Sequence, residues 1–457
     1  MKETIAAIST ATGEAGIGIV RMSGEDSVEI ADKVFRHIGQ KNLTEIKNRM
    51  MSYGHIIDEN GKVIDEVLIV KMMAPNTYTR ENMVEIYTHG GIISVRRVLN
   101  LLLDNGARIA EAGEFTKRAF LNGRLDLSQA EAVIDIIKAK TDESFDQSIK
   151  QLEGSLTGII TEISDEVTKM MGIIIANIDF PEDDVEEYQY ETLLKDANKV
   201  KENINTLIEG SNRGRLLRDG INTVILGKPN VGKSSLLNAM LRYEKAIVTD
   251  IPGTTRDIIE DYVNLDGILL KITDTAGIRE TEDKVEAIGV RRAVKSIEGA
   301  DLIIAIFDGS EKFDENDEEI LKLLEGKKSI VLVNKADLES KNSEDELKSF
   351  FGNRDYMNVS IKKGTILDIE NKIKDMFFSG NLKAKEEFYI NNLRHVRALK
   401  EATKFIDSAI EGLETREFLD CIEVDLRGAL DELGNITGET TTEDILDKVF
   451  SEFCIGK

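Results

Sequence analysis

The chain has 457 residues, room for two to four domains at about 100–200 residues each. Its apolar fraction of 41% can fill several cores, and four prolines with no tryptophan fit a helix-rich protein, while a net charge of −25 argues against broad direct contact with a phosphate backbone. Two cysteines, Cys421 and Cys454, build no disulfide framework, so a reducing cytoplasm is expected. Met1-Lys2-Glu3-Thr4 lacks a basic-then-apolar signal pattern, and apolar runs such as 172–175 and 302–307 are too short to span a bilayer, so no membrane is expected.

Residues 1–118 read as a mixed α/β domain. Strand-like runs at 17–22, 67–72 and 83–87 accompany a helical stretch at 92–103 that Asn105-Gly106 ends, and Asp58-Glu59-Asn60-Gly61 predicts a hairpin turn. From Gly113 the pattern turns helical. Ile149, Leu152, Leu156, Ile160, Ile163, Val167 and Met170 recur every three or four residues, which predicts one face of a long helix. The helical character runs to about Asn212, interrupted at Phe180-Pro181-Glu182-Asp183-Asp184, and Arg213, Arg215 and Arg218 around Gly214 and Gly220 read as a small solvated hinge.

Residues 221–378 alternate strands and helices; 221–226, 269–273, 302–307 and 330–333 are apolar, β-branched runs suited to buried parallel strands. The stretch 384–457 is helical again, with apolar positions at Val396, Leu399, Phe405, Ile406, Ala409, Leu426, Leu430 and Leu433. Two amphipathic flanks need a surface to bury, so the strand-bearing segment is expected as an insertion between two halves of one helical domain. The expected domains are 1–118, 119–215, 216–380 and 381–457, and Cys421 is expected in a helical core. None of the four histidines has metal-ligand spacing, and His89 before two glycines reads as structural.

Gly227-Lys228-Pro229-Asn230-Val231-Gly232-Lys233-Ser234 fits G-x-x-x-x-G-K-S between a strand and a helix that opens at Ser235. Such a loop turns its N–H groups toward phosphates; Lys233 is expected at the β- and γ-phosphates and Ser234 at Mg²⁺. Asp274-Thr275-Ala276-Gly277 follows a strand; its carboxylate suits a water on Mg²⁺, and Gly277 lets its N–H approach the γ-phosphate. Asn334-Lys335-Ala336-Asp337 follows another strand, and Asp337 can accept from guanine N1–H and N2–H₂, an edge adenine does not offer; Ser360-Ile361-Lys362 fits the loop that closes over the base. The predicted ligand is therefore GTP with Mg²⁺. Ile278 stands where Ras-like GTPases carry a water-positioning glutamine, so catalysis needs another polar group. Arg279, Glu280, Glu282, Asp283 and Glu286 are candidates, although by spacing alone solvated charges and slow hydrolysis are the plainer reading.

With Pro252-Gly253-Thr254-Thr255-Arg256-Asp257 and Asp274-Thr275-Ala276-Gly277-Ile278-Arg279, the nucleotide segment resembles GTPases of the Era/TrmE group. The segment EAGEFTKRAFLNGRLDLSQAEA at 111–132, Gly18-Ile19-Val20-Arg21-Met22-Ser23-Gly24, His89-Gly90-Gly91 and Phe453-Cys454-Ile455-Gly456-Lys457 resemble the TrmE (MnmE) tRNA-modification GTPases, a likeness that covers the whole chain. That resemblance implies an α/β plus α fold: a Ras-like G domain inserted in a helical domain, preceded by an α+β domain that binds a tetrahydrofolate derivative and makes a homodimer. It implies a flavin-dependent partner of the MnmG/GidA type, tRNA as substrate, and modification of the wobble uridine at C5.

For the reaction, the resemblance implies a K⁺ ion held by Asn230, Thr249, Ile251 and Thr254 in a nucleotide loop that includes Asp250, Pro252 and Gly253; Thr255 joins Ser234 at Mg²⁺, and Glu286 positions the water. The folate site draws on Arg21, Glu85, Arg124 and Lys457, and Cys454 is placed beside the uridine chemistry. Lysine is common in the family where Arg124 stands, a change that keeps charge and alters contact geometry. A prenylation box at Cys454 is disfavoured by Gly456 and Lys457. An Era-like ribosome-assembly switch is the alternative, disfavoured because this acidic chain lacks a basic RNA-binding module; a membrane-remodelling GTPase would need an amphipathic anchor.

Overall fold

The computed structural model describes residues 3–11, 13–179, 187–243, 261–273, 297–364, 366–378 and 388–457. Two compact units share the chain: Met1–Ile137 with Ile149–Lys201 and Ala398–Lys457, and Lys138–Ser148 with Glu202–Arg397.

The first unit begins with β1 (Ile5–Ile8), β2 (Gly18–Ser23), α1 (Ser27–Val34), β3 (Phe35–His37), β4 (Ser52–Ile57), β5 (Val63–Met72), β6 (Met83–Thr88), α2 (Ile92–Asp104) and β7 (Arg108–Ile109). The strands form one sheet in the order β3-β4-β5-β6-β2-β1-β7, antiparallel except for β1 with β7. The hairpin expected at residues 58–61 joins β4 to β5. Val20, Met22, Ile56, Val67, Ile69, Val84 and Ile86 are buried with Val28, Ala31 and Val34 of α1 and Val95, Val98 and Leu102 of α2. Because side chains alternate along a strand, Arg21, Glu85 and Tyr87 project from the other face. Near β1, that face carries a second core of Ile5, Ala7, Met83, Ala110 and Phe115.

Next come α3 (Glu114–Leu121), α4 (Leu127–Lys138), α5 (Asp142–Leu152), α6 (Ser155–Asp179) and α7 (Glu187–Asp219). The single long helix expected through 149–170 is two, because the chain turns at Glu153-Gly154. The α6 part keeps the predicted face, burying Leu156, Ile160, Ile163, Val167, Met170 and Ile174. The expected basic hinge is instead the end of α7, which stays helical to Asp219; Arg215 pairs with Asp301 at 2.7 Å and Arg213 lies over the Tyr389 ring at 4.9 Å. Those partners lie far off in sequence, so local composition read as a linker.

The second unit holds β8 (Ile221–Leu226), α8 (Lys233–Tyr243), β9 (Asp261–Leu265), β10 (Ile268–Ile272), β11 (Leu302–Asp308), α9 (Glu315–Leu323), β12 (Ser329–Asn334), α10 (Glu344–Phe351), β13 (Tyr356–Asn358) and α11 (Ile366–Phe378). Its sheet runs β13-β12-β11-β8-β10-β9, parallel throughout except for β9. All seven residues of β11 are buried, as a central parallel strand requires. Separate apolar clusters cover the two faces, one around Leu236, Met240 and Ile369, the other around Phe307, Leu347 and Phe351.

The chain ends with α12 (Leu393–Thr415), α13 (Leu419–Thr437) and α14 (Glu443–Ser451). Within the first unit α13 packs along α6, so the segments flanking the nucleotide unit bury each other's apolar stripes. Cys421, expected in a core, is exposed: on α13 the buried stripe is Ile422, Leu426, Ala429, Leu433 and Ile436, and Cys421 falls outside it. The tail then returns to the N-terminal sheet. Ile455 bridges Ala112, the Phe115 N–H donates to the Lys457 carbonyl at 3.2 Å, and Ser9 Oγ donates to the Gly456 carbonyl at 3.2 Å. At Gly456 (φ +95°) a Cβ would stand 2.2 Å from the Ile8 carbonyl oxygen, so the approach needs glycine.

A buried ion cluster fastens α3 to this sheet. Arg118, 8% exposed, donates to Glu81 at 3.0 Å, to Glu114 at 2.9 Å and to the Glu3 carbonyl at 2.9 Å, and Arg108 reaches Glu114 at 2.6 Å. Burial works to raise the Glu114 carboxyl, and the hydrogen bonds from Arg108, the Glu111 N–H and Arg118 outweigh it, holding the group below its ordinary range. Removing one partner leaves buried charge uncompensated, so Arg118→Ala is expected to cost about 3–5 kcal/mol. Urea unfolding checks this; a loss below about 1 kcal/mol would show that solvent replaces the guanidinium.

Candidate functional site

The described nucleotide motifs, at 227–234, 334–337 and 360–362, converge at the C-terminal edge of the second unit's sheet. Strand β8 ends at Leu226, residues 227–232 turn, and α8 begins at Lys233. The turn is tight. At Gly232 (φ +115°) a Cβ would stand 2.4 Å from the Asn334 side-chain nitrogen, and Asn230 takes φ +64° at an exposed position. The Lys233 ammonium donates to the carbonyls of Gly227 at 2.6 Å and Lys228 at 2.7 Å, and burial pushes it below the usual lysine range. That charge, held in the mouth of the loop, suits phosphate oxygens. Ser234 and Ser235 are in the first turn of α8, and Val231 is buried. Lys228 carries no motif role, yet it ties the loop to α9 through Asp314 at 2.9 Å and Asp317 at 2.7 Å.

Asn334 ends β12 and is buried. Its side-chain N–H donates to the Val231 carbonyl at 2.8 Å, and its oxygen accepts the Ile361 N–H at 3.1 Å. One amide therefore joins the phosphate loop to the loop expected over the base. Lys335 (φ +67°) forms an ion pair with Asp308, which also accepts from Ser310 Oγ at 2.6 Å. Burial works to raise the Asp308 carboxyl; Lys335 and Ser310 outweigh it and lower it. The Ser360 hydroxyl donates to Asp337 Oδ1 at 2.7 Å and lowers that carboxyl, with smaller help from its own backbone N–H, Lys363 and Lys362. Asp337 is thus an ionised acceptor at neutral pH, the form a guanine edge needs. Lys362 is exposed in the turn 361–363.

Thr249, Asp250, Ile251, Pro252, Gly253, Thr254, Thr255, Asp274, Thr275, Ala276, Gly277 and Glu286 lie outside the described residues. Among the described residues no group of three or more His, Cys, Asp or Glu is placed to hold a metal, and no helix is long and apolar enough to cross a membrane. The Ser234 hydroxyl, next to Lys233, suits a phosphate-bound Mg²⁺. An open pocket of about 610 Å³ lined by Leu321, Phe350 and Arg354 includes no residue of the nucleotide motifs.

In the first unit, Arg21 and Glu85 face each other across β2 and β6 and pair at 2.8 Å. Arg21 stands over the Phe115 ring at 5.9 Å, and the Phe115 N–H holds the Lys457 carbonyl. Arg124 lies over the Tyr78 ring at 4.6 Å, and the Tyr78 hydroxyl meets Thr116 at 2.9 Å. All four sequence-predicted folate residues are therefore linked through Phe115, its neighbour Thr116 and Tyr78. Cys454, exposed, joins through its carbonyl, which accepts the Gly113 N–H at 3.4 Å. Tyr87, which no motif signalled, donates to Glu85 Oε2 at 2.7 Å. His89 is a structural clamp: Nδ1 lies 2.6 Å from Asp65, whose other oxygen accepts the His89 N–H at 3.0 Å.

This arrangement is that of a phosphate-loop GTP-binding protein. The family described as "MnmE helical domain" matches residues 127–454, and that described as "GTP-binding protein TrmE N-terminus" matches residues 4–124. The tRNA modification GTPase MnmE of Finegoldia magna is 54% identical over all of both chains; those of Clostridioides difficile and Thermoanaerobacter pseudethanolicus are 48% and 50% identical, over 100% of this chain and 99% of theirs. Among solved structures, a variant of Aquifex aeolicus Era bound to GDP.AlF4- is 27% identical over 40% of this chain and 66% of its own, with a TM-score of 0.26. The chain belongs to the MnmE (TrmE) family of tRNA modification GTPases, and its enzymatic class is GTP hydrolase.

If Asn334 sets the spacing of the two loops, Asn334→Ala should weaken GTP binding roughly tenfold to a hundredfold, the cost of orphaning buried backbone groups. Calorimetry measures it; unchanged affinity, with the fold intact by circular dichroism, would show that the loops keep their spacing without the amide.

Proposed function

We propose that this chain is a potassium-activated GTPase that, with a flavin-dependent partner of the MnmG/GidA type, modifies C5 of the wobble uridine of certain tRNAs. A carboxymethylaminomethyl or aminomethyl group is added, its one-carbon unit drawn from 5-formyl- or 5,10-methylene-tetrahydrofolate, and the protein works as a homodimer. End-to-end likeness to relatives named tRNA modification GTPase supports this reading. The observation that carries it is that one chain holds both a guanine-nucleotide loop set and, on a separate sheet, the Arg21–Glu85 pair beside its own C-terminal tail.

In hydrolysis, the backbone amides of 230–234 and Lys233 hold the β- and γ-phosphates, Ser234 and Thr255 hold Mg²⁺, and Asp337 checks the base. Asp274 to Gly277 and Thr249 to Thr254 border the γ-phosphate; Glu286 orients the water, since Ile278 cannot. K⁺ on Asn230, Thr249, Ile251 and Thr254 supplies the positive charge that an arginine finger gives elsewhere, beside oxygens that gain charge in the transition state. In the folate role, the Glu85 carboxylate accepts from a pterin's amino-amide edge, Arg21, Arg124 and Lys457 meet the anionic part, and Cys454 lies near the transferred carbon.

No observation favours the ribosome-assembly alternative. The first 124 residues carry sixteen Lys or Arg and sixteen Asp or Glu, so no strongly basic RNA-binding module is present there.

Two measurements test the nucleotide half of the proposal. GTP turnover should rise at least about tenfold when K⁺ replaces Na⁺; equal rates in the two salts would remove the cation from the mechanism. Asp337→Asn should lose GTP affinity and gain affinity for xanthosine triphosphate, whose C2 oxygen accepts from an amide. Undiminished GTP binding would show that Asp337 does not read the base.

A further inference from the structure

Tyr87 occupies the same sheet face as Arg21 and Glu85, two residues along β6 from Glu85, with Ile19 and Leu68 as its cross-strand neighbours. The two oxygens of Glu85 have different partners. Arg21 donates Nε to Oε1 at 2.8 Å and also brings Nη2 within 2.8 Å of that same Oε1. Tyr87 donates its hydroxyl to Oε2 at 2.7 Å. An arginine and a carboxylate left to themselves favour the fork-on-fork arrangement, one N–H to each oxygen. Here that arrangement is absent, because Oε2 is turned toward Tyr87.

The consequence is an acceptor count. A carboxylate offers about four lone-pair sites. The Arg21 Nε–H takes one on Oε1 and the Tyr87 hydroxyl takes one on Oε2, which leaves one open site on each oxygen, that on Oε1 crowded by Nη2. Were the carboxylate to rotate into a forked pair with Arg21, Oε2 would take a guanidinium N–H at its open site.

We propose that Tyr87 is a positioning residue of the folate site: its hydroxyl holds the Glu85 carboxylate out of a forked pair with Arg21 and so keeps one Oε2 lone pair for an N–H on the amino-amide edge of a reduced pterin. The proposal rests on the folate reading given above. Burial, then the hydrogen bond to Glu85, pushes the Tyr87 hydroxyl up to about 12, so it keeps its proton and remains a donor throughout the physiological range. A neutral hydroxyl also orients the carboxylate without cancelling a second unit of its charge, as another cation would.

The test uses the full-length protein and 5-formyl-tetrahydrofolate as probe, with calorimetry on wild type, Tyr87→Phe, Glu85→Gln and the double variant. Tyr87→Phe keeps the ring and should weaken binding about tenfold, the loss expected for one hydrogen bond to a charged group. Glu85→Gln should weaken it further, and the double variant should match Glu85→Gln, because a residue acting through another adds nothing once that other is gone. As a readout that general loosening of the fold would not give, the phenolic titration near pH 12, taken as the difference between wild type and Tyr87→Phe, should move down in Glu85→Gln. Tyr87→Phe binding as tightly as wild type overturns the proposal, as does a double variant about tenfold weaker than Glu85→Gln. If Glu85→Gln binds poorly while Tyr87→Phe binds normally, the folate reading stands and this proposal falls. Failure of wild type to bind the probe removes both.

Discussion

The nucleotide unit depends on one buried amide. The phosphate loop follows β8 and the base-closing loop follows β13, so the chain itself does not set the distance between them. Asn334 does, by committing its nitrogen to Val231 and its oxygen to Ile361. A buried amide with one end unsatisfied would cost more than it gives, so the side chain stabilises the site only while both loops are in place. That requirement couples them: whatever shifts the phosphate loop pulls on the base loop. Gly232 belongs to the same constraint, because the space a side chain would need there is already filled by Asn334. Lys228, anchored on Asp314 and Asp317, ties the other end of the loop to α9.

The first unit solves a similar problem with charge. Its sheet has a second face whose apolar area near β1 is small, centred on Phe115. Around that small core, Arg118 and Arg108 gather Glu81, Glu114 and Glu3. Buried ion pairs gain little net stability, since desolvation consumes most of the attraction, but they punish misplacement severely. Their effect is to fix the register of α3 on the sheet, and α3 in turn presents the Phe115 N–H to the last residue of the chain. The tail that carries Cys454 and Lys457 is held by backbone hydrogen bonds and by a glycine that admits no side chain, so its position does not depend on the reactivity of the cysteine.

What could be read in advance follows from range. Periodicity and phosphate-loop chemistry are local, and the strands at 221–226, 302–308 and 329–334, the hairpin between β4 and β5 and the buried face of α6 lie within a residue or two of where the pattern put them. Contacts between distant segments were not legible. Arg213 and Arg215 looked like a hinge because Tyr389 and Asp301 cannot be seen from residue 215. Cys421 looked buried because an apolar side chain one step off the stripe has the same local signature as one on it. Asp308, which pairs with Lys335, is the last residue of an apolar strand, and Tyr87, which donates to Glu85, is one of several polar residues of β6; no spacing marks either. Asn334 was legible as a motif residue, but the motif did not say that its side chain braces two loops.

Two carboxylates in this protein have comparable settings. Asp337 accepts on one oxygen from the Ser360 hydroxyl, and Glu85 accepts on one oxygen from the Tyr87 hydroxyl. Guanine and a pterin present the same edge, an N–H beside an amino group, and a carboxylate that reads such an edge must stay ionised, hold its orientation and keep a lone pair outward. A lysine or arginine alone keeps it ionised and competes for the lone pairs. A hydroxyl takes one lone pair, adds no charge and turns about a single bond. The surroundings then decide how much cation each site also needs. Asp337 is near Lys362 and Lys363 at the protein surface, where solvent already favours the charged form; Glu85 is only 13% exposed and takes Arg21 as a full partner. The deeper carboxylate therefore carries the heavier risk of being captured by its own counter-ion, and that is the one opposed by a tyrosine.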